Sequence, residues 1–235
     1  MKIEIWSDIM CPFCYIGKRR FDEALAVFAN KKDIEVEWKS FLLSPELKTD
    51  PEKNIHQFLA EHKNISLEEA KGMNDYVTNM AAQAGLIYDF DRAIPANSFN
   101  AHRFLHFAKK HNRQSEAEEM MFKAYFTEGK NIDDAQTLVL MAIELGLDAN
   151  ELAQDMNSGT YTDDVIADVN EAQQFGVRGV PFFVFNRRYA VSGAQGSDVF
   201  LDTLEKSFAE WRAVNPENDF KTIEGQNCAI DGSCD

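Results

Sequence analysis

The chain has 235 residues, 45% of them hydrophobic and 27% charged, with 18 Phe, 12 Gly, 6 Pro and a formal charge of −15. That mix fits one or two globular domains of roughly 100 to 200 residues each and, with so many aromatics, excludes a disordered chain. Acidic side chains outnumber basic ones 39 to 24, so nucleic-acid phosphates and anionic membrane surfaces are excluded as partners, which leaves small molecules and proteins as substrates.

In chain order, the opening Met1-Lys2-Ile3-Glu4-Ile5-Trp6-Ser7-Asp8 has no uninterrupted apolar segment of the signal-peptide kind. No later run approaches the roughly 18 residues of a membrane span. The expected location is cytoplasmic. Lys2 to Trp6 alternates with the two-residue period of a strand. A helix is expected from about Cys14 to Asn30, with Phe21, Leu25 and Phe28 on one face. Ile34, Val36 and Trp38 then alternate with Glu35, Glu37 and Lys39, which predicts a second strand with one apolar and one charged side.

From about Ser44 to Gly176 the period turns helical. Asp50-Pro51 is expected to open one helix, and Ser66-Leu67-Glu68-Glu69 is a capping box for a second that stops near Gly85. Asn97 caps a third. Ser115 with Glu118 is expected to box a fourth ending at Gly129, Asp133 to Gly146 supplies a fifth, and Thr160 to Gly176 reads as the last long one. The strand pattern then returns. Val180-Pro181-Phe182-Phe183-Val184-Phe185 suits a strand buried on both faces, and Asn186-Arg187-Arg188 turns it into Tyr189-Ala190-Val191. Ser197 is expected to cap a final helix carrying Leu201, Leu204, Phe208 and Trp211, which ends before Pro216. The order is that of an α/β thioredoxin-like core, residues 1–43 and 177–216, with an all-helical insertion of residues 44–176 between the second strand and the Pro181 strand. Residues 217–235 form a polar tail.

The strongest chemical signal is Cys11-Pro12-Phe13-Cys14, where a strand hands over to a helix. Residues three apart on a helix are about 5 Å apart, within the range a disulfide tolerates. Cys11 falls at the helix N-terminus, where free N–H groups and the positive dipole end stabilise a thiolate, and Pro12 suits the first helical position. Cys11 is then the exposed nucleophile and Cys14 resolves the mixed disulfide; Pro12 and Phe13, between them, are candidate substrate contacts. Half of a zinc site and a pair of incidental buried thiols are the alternatives, but no His or Cys lies close by to complete four ligands. No metal is expected.

The second signal is Gly179-Val180-Pro181 at the mouth of the buried strand, where a proline cannot donate to a ladder. A cis Val180–Pro181 bond resolves the conflict and presents the backbone of Val180 to an extended substrate. A trans proline at a strand start is the alternative.

With these residues in place, the chain resembles the DsbA family of the thioredoxin superfamily, and most closely its FrnE-like branch. The resemblance is carried by Ser7-Asp8-Ile9-Met10-Cys11-Pro12-Phe13-Cys14-Tyr15-Ile16-Gly17, by Gly176-Val177-Arg178-Gly179-Val180-Pro181-Phe182-Phe183-Val184 and by Ser192-Gly193-Ala194-Gln195, and it covers about residues 1 to 215. It implies a thiol-disulfide oxidoreductase acting on protein or small thiol substrates, in which Cys11 attacks, Cys14 resolves and Val180 with cis Pro181 binds substrate backbone. The helix from Asn97 through His102 is similar to a segment lining the active-site cleft of FrnE-like proteins, so Asn97 and His102 are candidate substrate contacts; His102 and His106 are otherwise surface or packing residues.

A related group, the kappa-class glutathione transferases and hydroxychromene-carboxylate isomerases, uses serine at the attacking position and glutathione as cofactor. By that likeness glutathione would pair with Val180 and seat its γ-glutamyl carboxylate on the N–H groups of Ser197 and Asp198; Ser197 is otherwise a plain helix cap. Cys228 and Cys234, around Ala-Ile-Asp-Gly-Ser, are similar to a second redox pair of some FrnE-like proteins, or else form a reduced tail or a regulatory lock. A redox-sensing binding protein that uses this tail as a switch is the non-enzymatic alternative.

Overall fold

In the computed structural model, which describes residues 1–216, four strands form one mixed sheet. β1 (Lys2–Ser7), β2 (Glu35–Ser40), β3 (Phe182–Phe185) and β4 (Tyr189–Ser192) lie in the order β2-β1-β3-β4. β1 runs parallel to β2, with Ser7 opposite Ser40, and antiparallel to β3, with Trp6 opposite Phe182; β3 and β4 are a hairpin. The antiparallel register has a consequence for chemistry. The C-terminal end of β1, which leads to Cys11, meets the N-terminal end of β3, which follows Pro181.

Nine helices are described. α1 (Pro12–Val27) and α9 (Ser197–Val214) cover one face of the sheet, where Ile3, Ile5, Phe21, Phe183, Phe185 and Phe200 pack together. On the other face Trp6 and Val184 lie under Ala172 of α8 (Thr162–Gln174), and the Trp6 indole donates to the Asp168 carbonyl at 3.0 Å. Between β2 and β3 come α2 (Ile55–Lys63), α3 (Leu67–Gln83), α4 (Phe99–Lys110), α5 (Gln114–Phe126), α6 (Ala135–Glu144) and α7 (Ala149–Ser158), then α8. Their shared core of Phe104, Phe107, Phe122 and Phe126 also takes in Cys11, Cys14 and Tyr15, so the cysteine pair is packed into the helical insertion. Among the described residues no helix is long and apolar enough to cross a membrane.

The local signals place most elements and misplace some. The capping box at Ser66 and Glu69 forms as expected, and Gly85, just past that helix, has a φ of 70°. The first helix begins at Pro12 rather than Cys14, because Pro12 fills the first helical position and Cys11 is its cap. Asp50-Pro51 makes a turn, with the Asp50 carboxylate accepting from Glu52 N–H at 3.1 Å, and α2 starts only at Ile55 under Asn54. Ser115 and Glu118 do not form a box. Ser115 lies inside α5 and accepts from the Trp38 indole at 3.3 Å, while Glu118 is turned fully inward.

α7 occupies the stretch between Gly146 and Thr160, where the sequence pattern predicts no helix; Asp148 caps it and Gly159, at φ 77°, ends it. The cap of α9 is Gly196, and Ser197 is the first helical residue with no side-chain capping bond. The charged side of β2 is also covered. Glu37 is buried against Lys2, Lys39 and Lys109, and Lys39 pairs with Asp168 at 3.1 Å and Glu171 at 2.8 Å, because α8 packs over that face.

Candidate active site

Cys11 sits between two elements. Its N–H donates to the Asp8 carbonyl at 2.9 Å and its own carbonyl accepts from Cys14 N–H at 3.0 Å, so the loop after β1 winds directly into α1. With φ −89° and ψ 110° it is the extended cap of a helix whose first residue is Pro12. Its Sγ donates toward the Val180 carbonyl at 3.5 Å, and the Val180–Pro181 peptide is cis. Gly17 permits this approach, since it faces Pro181 without a side chain.

Cys11, expected to be exposed, is itself buried, with 4% exposure, because the helices pack around it, and it meets solvent through the cavity described below. Cys14, one turn inside, is completely buried, and both thiols are free. Burial pushes the Cys14 thiol well above its ordinary value of 9.0, the adjacent Cys11 thiol acts in the same direction, and the Asp8 backbone and Ser7 hydroxyl act against it.

A layer of polar groups lies beneath the pair. Asp8 is fully buried, and its carboxylate accepts from Met10 N–H at 3.2 Å and Leu43 N–H at 2.7 Å. His102 points at it, Nε2 to Oδ1 at 3.6 Å. Glu118 of α5 is fully buried, and neither of its carboxylate oxygens makes a full hydrogen bond. Burial raises its carboxyl to about 7, opposed by His102, by the Ser7 hydroxyl and by Lys18. The Ser7 hydroxyl, which likewise makes no full hydrogen bond among the described residues, bears on the ionisation of both Cys14 and Glu118. From above, the Tyr88 hydroxyl donates to the Pro12 carbonyl at 2.7 Å, and its ring stacks on Phe126 at 4.6 Å. Burial and then the neighbouring Cys11 raise the Tyr88 hydroxyl far above its ordinary value.

The fold gathers some of the candidate residues and separates others, as their neighbours show. Cys11, Pro12, Phe13 and Val180 border one cavity of about 380 Å³ between the cysteine loop and the helices α2 and α3. Pro181 packs behind it, accepting Gly193 N–H at 2.8 Å. His102 lies in the polar layer and does not border the cavity. Asn97 is used elsewhere: its amide donates to the carbonyls of Pro45 at 3.1 Å and Leu47 at 2.8 Å and its oxygen accepts from Phe99 N–H at 2.8 Å, which ties the loop after β2 to the start of α4.

Ser197 and Asp198 stand at the start of α9 and do not border the cavity either. His106 pairs with Asp168 at 3.1 Å and not with His102. Cys228 and Cys234 lie outside the described residues. Among the described residues no group of three or more His, Cys, Asp or Glu is arranged to hold a metal.

Tyr88 carries no motif that marks it, and the capping-box pattern of Ser115 and Glu118 points the acid to a helix end instead of to the thiols. The sign that could have placed Glu118 here is its helical spacing with Met121, Phe122 and Tyr125, which puts an acid on an apolar face. A thiol at a helix cap, open to a cavity and backed by a second thiol one turn inside, is an arrangement suited to disulfide exchange.

A model of the DSBA-like thioredoxin domain matches residues 2–205. YwbO of Bacillus subtilis, described as uncharacterized, is 30% identical over 200 residues, which is 84% of this chain and 92% of that one. The crystal structure of a probable DsbA oxidoreductase from Streptomyces coelicolor is 35% identical, covers 100% of this chain and 98% of its own, and superposes with a TM-score of 0.82. The cytosolic disulfide reductase DsbM from Pseudomonas aeruginosa shares the fold at 15% identity, with a TM-score of 0.64 over 89% of this chain and 100% of that one.

Proposed function

This chain belongs to the DSBA-like thioredoxin domain family, and from that premise we propose that it is a cytoplasmic thiol-disulfide oxidoreductase in which Cys11 attacks and Cys14 resolves. The carrying observation is the placement of the two thiols. Cys11 borders the cavity with its Sγ 3.5 Å from the Val180 carbonyl, and Cys14 is fully buried one helical turn further on.

In the reducing direction the Cys11 thiolate attacks a substrate disulfide, forms a mixed disulfide and releases one substrate thiolate. Cys14 then loses its proton and attacks Cys11 Sγ, which releases the second substrate thiolate and leaves the Cys11–Cys14 disulfide. Two electrons pass to the substrate. Burial opposes deprotonation of Cys14, so the second step needs a proton acceptor within the protein. The buried Glu118, in its ionised form, is the candidate for that role, with the Ser7 hydroxyl bearing on both the thiol and the acid without a full hydrogen bond to either. Val180 and Pro181 hold the extended backbone of the substrate beside Cys11.

Glutathione is a candidate donor or acceptor of electrons in this scheme, and the fold neighbour DsbM has been crystallised with it. The cytoplasmic setting is supported by the same neighbour, a cytosolic disulfide reductase.

Insulin-disulfide reduction and dithiol oxidation, measured on wild type, Cys11→Ser and Cys14→Ser, test the reading. Cys11→Ser is expected to be inactive, and Cys14→Ser to accumulate a mixed disulfide on Cys11 visible by mass spectrometry. Full activity in Cys11→Ser would refute the mechanism.

A further inference from the structure

The cavity at Cys11 has a composition unlike the rest of the chain. Its walls are side chains such as Leu43, Phe58, Met73, Val77 and Phe126. In a sequence with 39 acidic residues against 24 basic ones, none of the described acids borders it, and among the described residues the only cation that does is Lys63, from the last turn of α2. Lys63 makes no ion pair among the described residues, whereas many other lysines do, including Lys2, Lys18, Lys39, Lys53 and Lys109. At about 380 Å³ the space is of the size that takes a small organic molecule. An apolar wall with one unpaired cation selects a ligand that is apolar over most of its surface and anionic at one end.

Building on the oxidoreductase reading, we propose that the preferred substrate is a small apolar thiol or its disulfide, aromatic or long aliphatic, carrying one carboxylate that meets Lys63. The apolar body fills the cavity between Leu43 and Phe126 and places sulfur at Cys11. In the reducing direction the electron count is that of ordinary exchange: Cys11 forms the mixed disulfide and frees one carboxylated thiolate, Cys14 closes the protein disulfide and frees the second, and an external dithiol such as dithiothreitol returns the two electrons.

An extended peptide is the competing occupant. It would run on into a second groove that begins at Phe13 and Met73 and continues past Gly72 and Tyr76 on α3.

The test compares two aryl disulfides of matched ring, dithiodibenzoate and its neutral bis-amide, as substrates of the full chain reduced by dithiothreitol. The ratio of their kcat/KM values, corrected for their rates with dithiothreitol alone, is expected to favour the carboxylate. Lys63→Glu is expected to lower that ratio about fivefold, an effect that shrinks with salt. Lys71→Glu, an exposed lysine of α3 outside the cavity, leaves it unchanged. Naphthoate, which has ring and carboxylate but no sulfur, is expected to inhibit wild type competitively and Lys63→Glu several-fold less.

A ratio that Lys63→Glu does not move overturns the proposal. So does a cystine peptide that outcompetes dithiodibenzoate and is weakened by Tyr76→Glu while naphthoate fails to inhibit. Hydroxyethyl disulfide, small and uncharged, separates this from failure of the underlying reading: its Cys11-dependent reduction keeps the oxidoreductase assignment whatever the aryl ratio shows, and its reduction by Cys11→Ser at the wild-type rate removes that assignment.

Discussion

Gly17 of α1 packs directly on Pro181: a Cβ at position 17 would stand 2.9 Å from Pro181 Cγ and 3.4 Å from Phe183 Cζ. The helix that begins at the cysteines and the loop that faces them are therefore set one glycine apart. In Gly17→Ala two effects oppose each other. Alanine gains about 1 kcal/mol of helix propensity, and the overpacked contact costs about 1 to 3 kcal/mol. Because Pro181 is part of a closed ring on the buried backbone and has little room to give, the clash is expected to win. Urea unfolding should show a lower midpoint, and insulin reduction should slow as Val180 moves from Cys11; a more stable and fully active Gly17→Ala would refute this packing account.

The two thiols should differ in chemistry as they do in place. Cys14 is fully buried and its thiol is held well above 9.0 by burial, whereas Cys11 borders the cavity. Brief iodoacetamide treatment of the reduced protein near neutral pH, followed by peptide mapping, is expected to alkylate Cys11 and spare Cys14. Equal labelling of both would contradict the assignment of roles.

Glu118 ties stability to pH in a definite direction. Burial raises its carboxyl to about 7 from 4.5, so between those values the folded chain retains a proton that the unfolded chain has released. Its contribution to stability is fully present at low pH and declines as pH rises through that window, by an amount on the order of 3 kcal/mol. Glu118→Gln carries no such proton. Its unfolding free energy, measured by urea titration from about pH 5 to about pH 8, is expected to fall less steeply than that of wild type. The same variant should slow release of the mixed disulfide, because the buried carboxylate proposed to take the Cys14 proton is gone. Parallel stability curves for the two proteins would show that the carboxyl ionises as in solvent.

Tyr88 clamps the first turn of α1 through its bond to the Pro12 carbonyl at 2.7 Å. Tyr88→Phe keeps the stack on Phe126 and removes only the hydroxyl. A loss of about 1 kcal/mol in stability is expected, with a several-fold lower rate of disulfide exchange, since Cys11 is the residue just before the clamped one. Thermal unfolding and the insulin assay read the two effects separately. A change in neither would mean that helix α1 holds Pro12 without help.

How far the sequence can be read depends on the range of each signal. The Cys11-Pro12-Phe13-Cys14 motif, the Pro181 strand and the capping box at Ser66 are contained within a few residues, and the backbone there does what those residues ask. Ser115 and Glu118 have the same local pattern as a capping box. Burial of α5 against β2 and the cysteine loop overrides it, since the Ser115 hydroxyl meets the Trp38 indole and Glu118 is enclosed. The charged face of β2 differs from expectation for the same reason: alternation tells which side chains share a face, and α8 decides whether that face meets water.

The cysteines show the same division. By itself the sequence determined that two thiols stand at a strand-to-helix junction and that a proline opens a buried strand, because spacing and the absence of an N–H are properties of the residues. Only the tertiary structure decided that these meet, when β1 and β3 pair antiparallel and Gly17 lets α1 rest on Pro181. It also set what surrounds them: Tyr88 above, Glu118 below and an apolar cavity with Lys63 at its edge. Those residues lie about 50 to 100 positions from the motif, and contacts across such distances are set by packing of the whole core rather than by any local pattern.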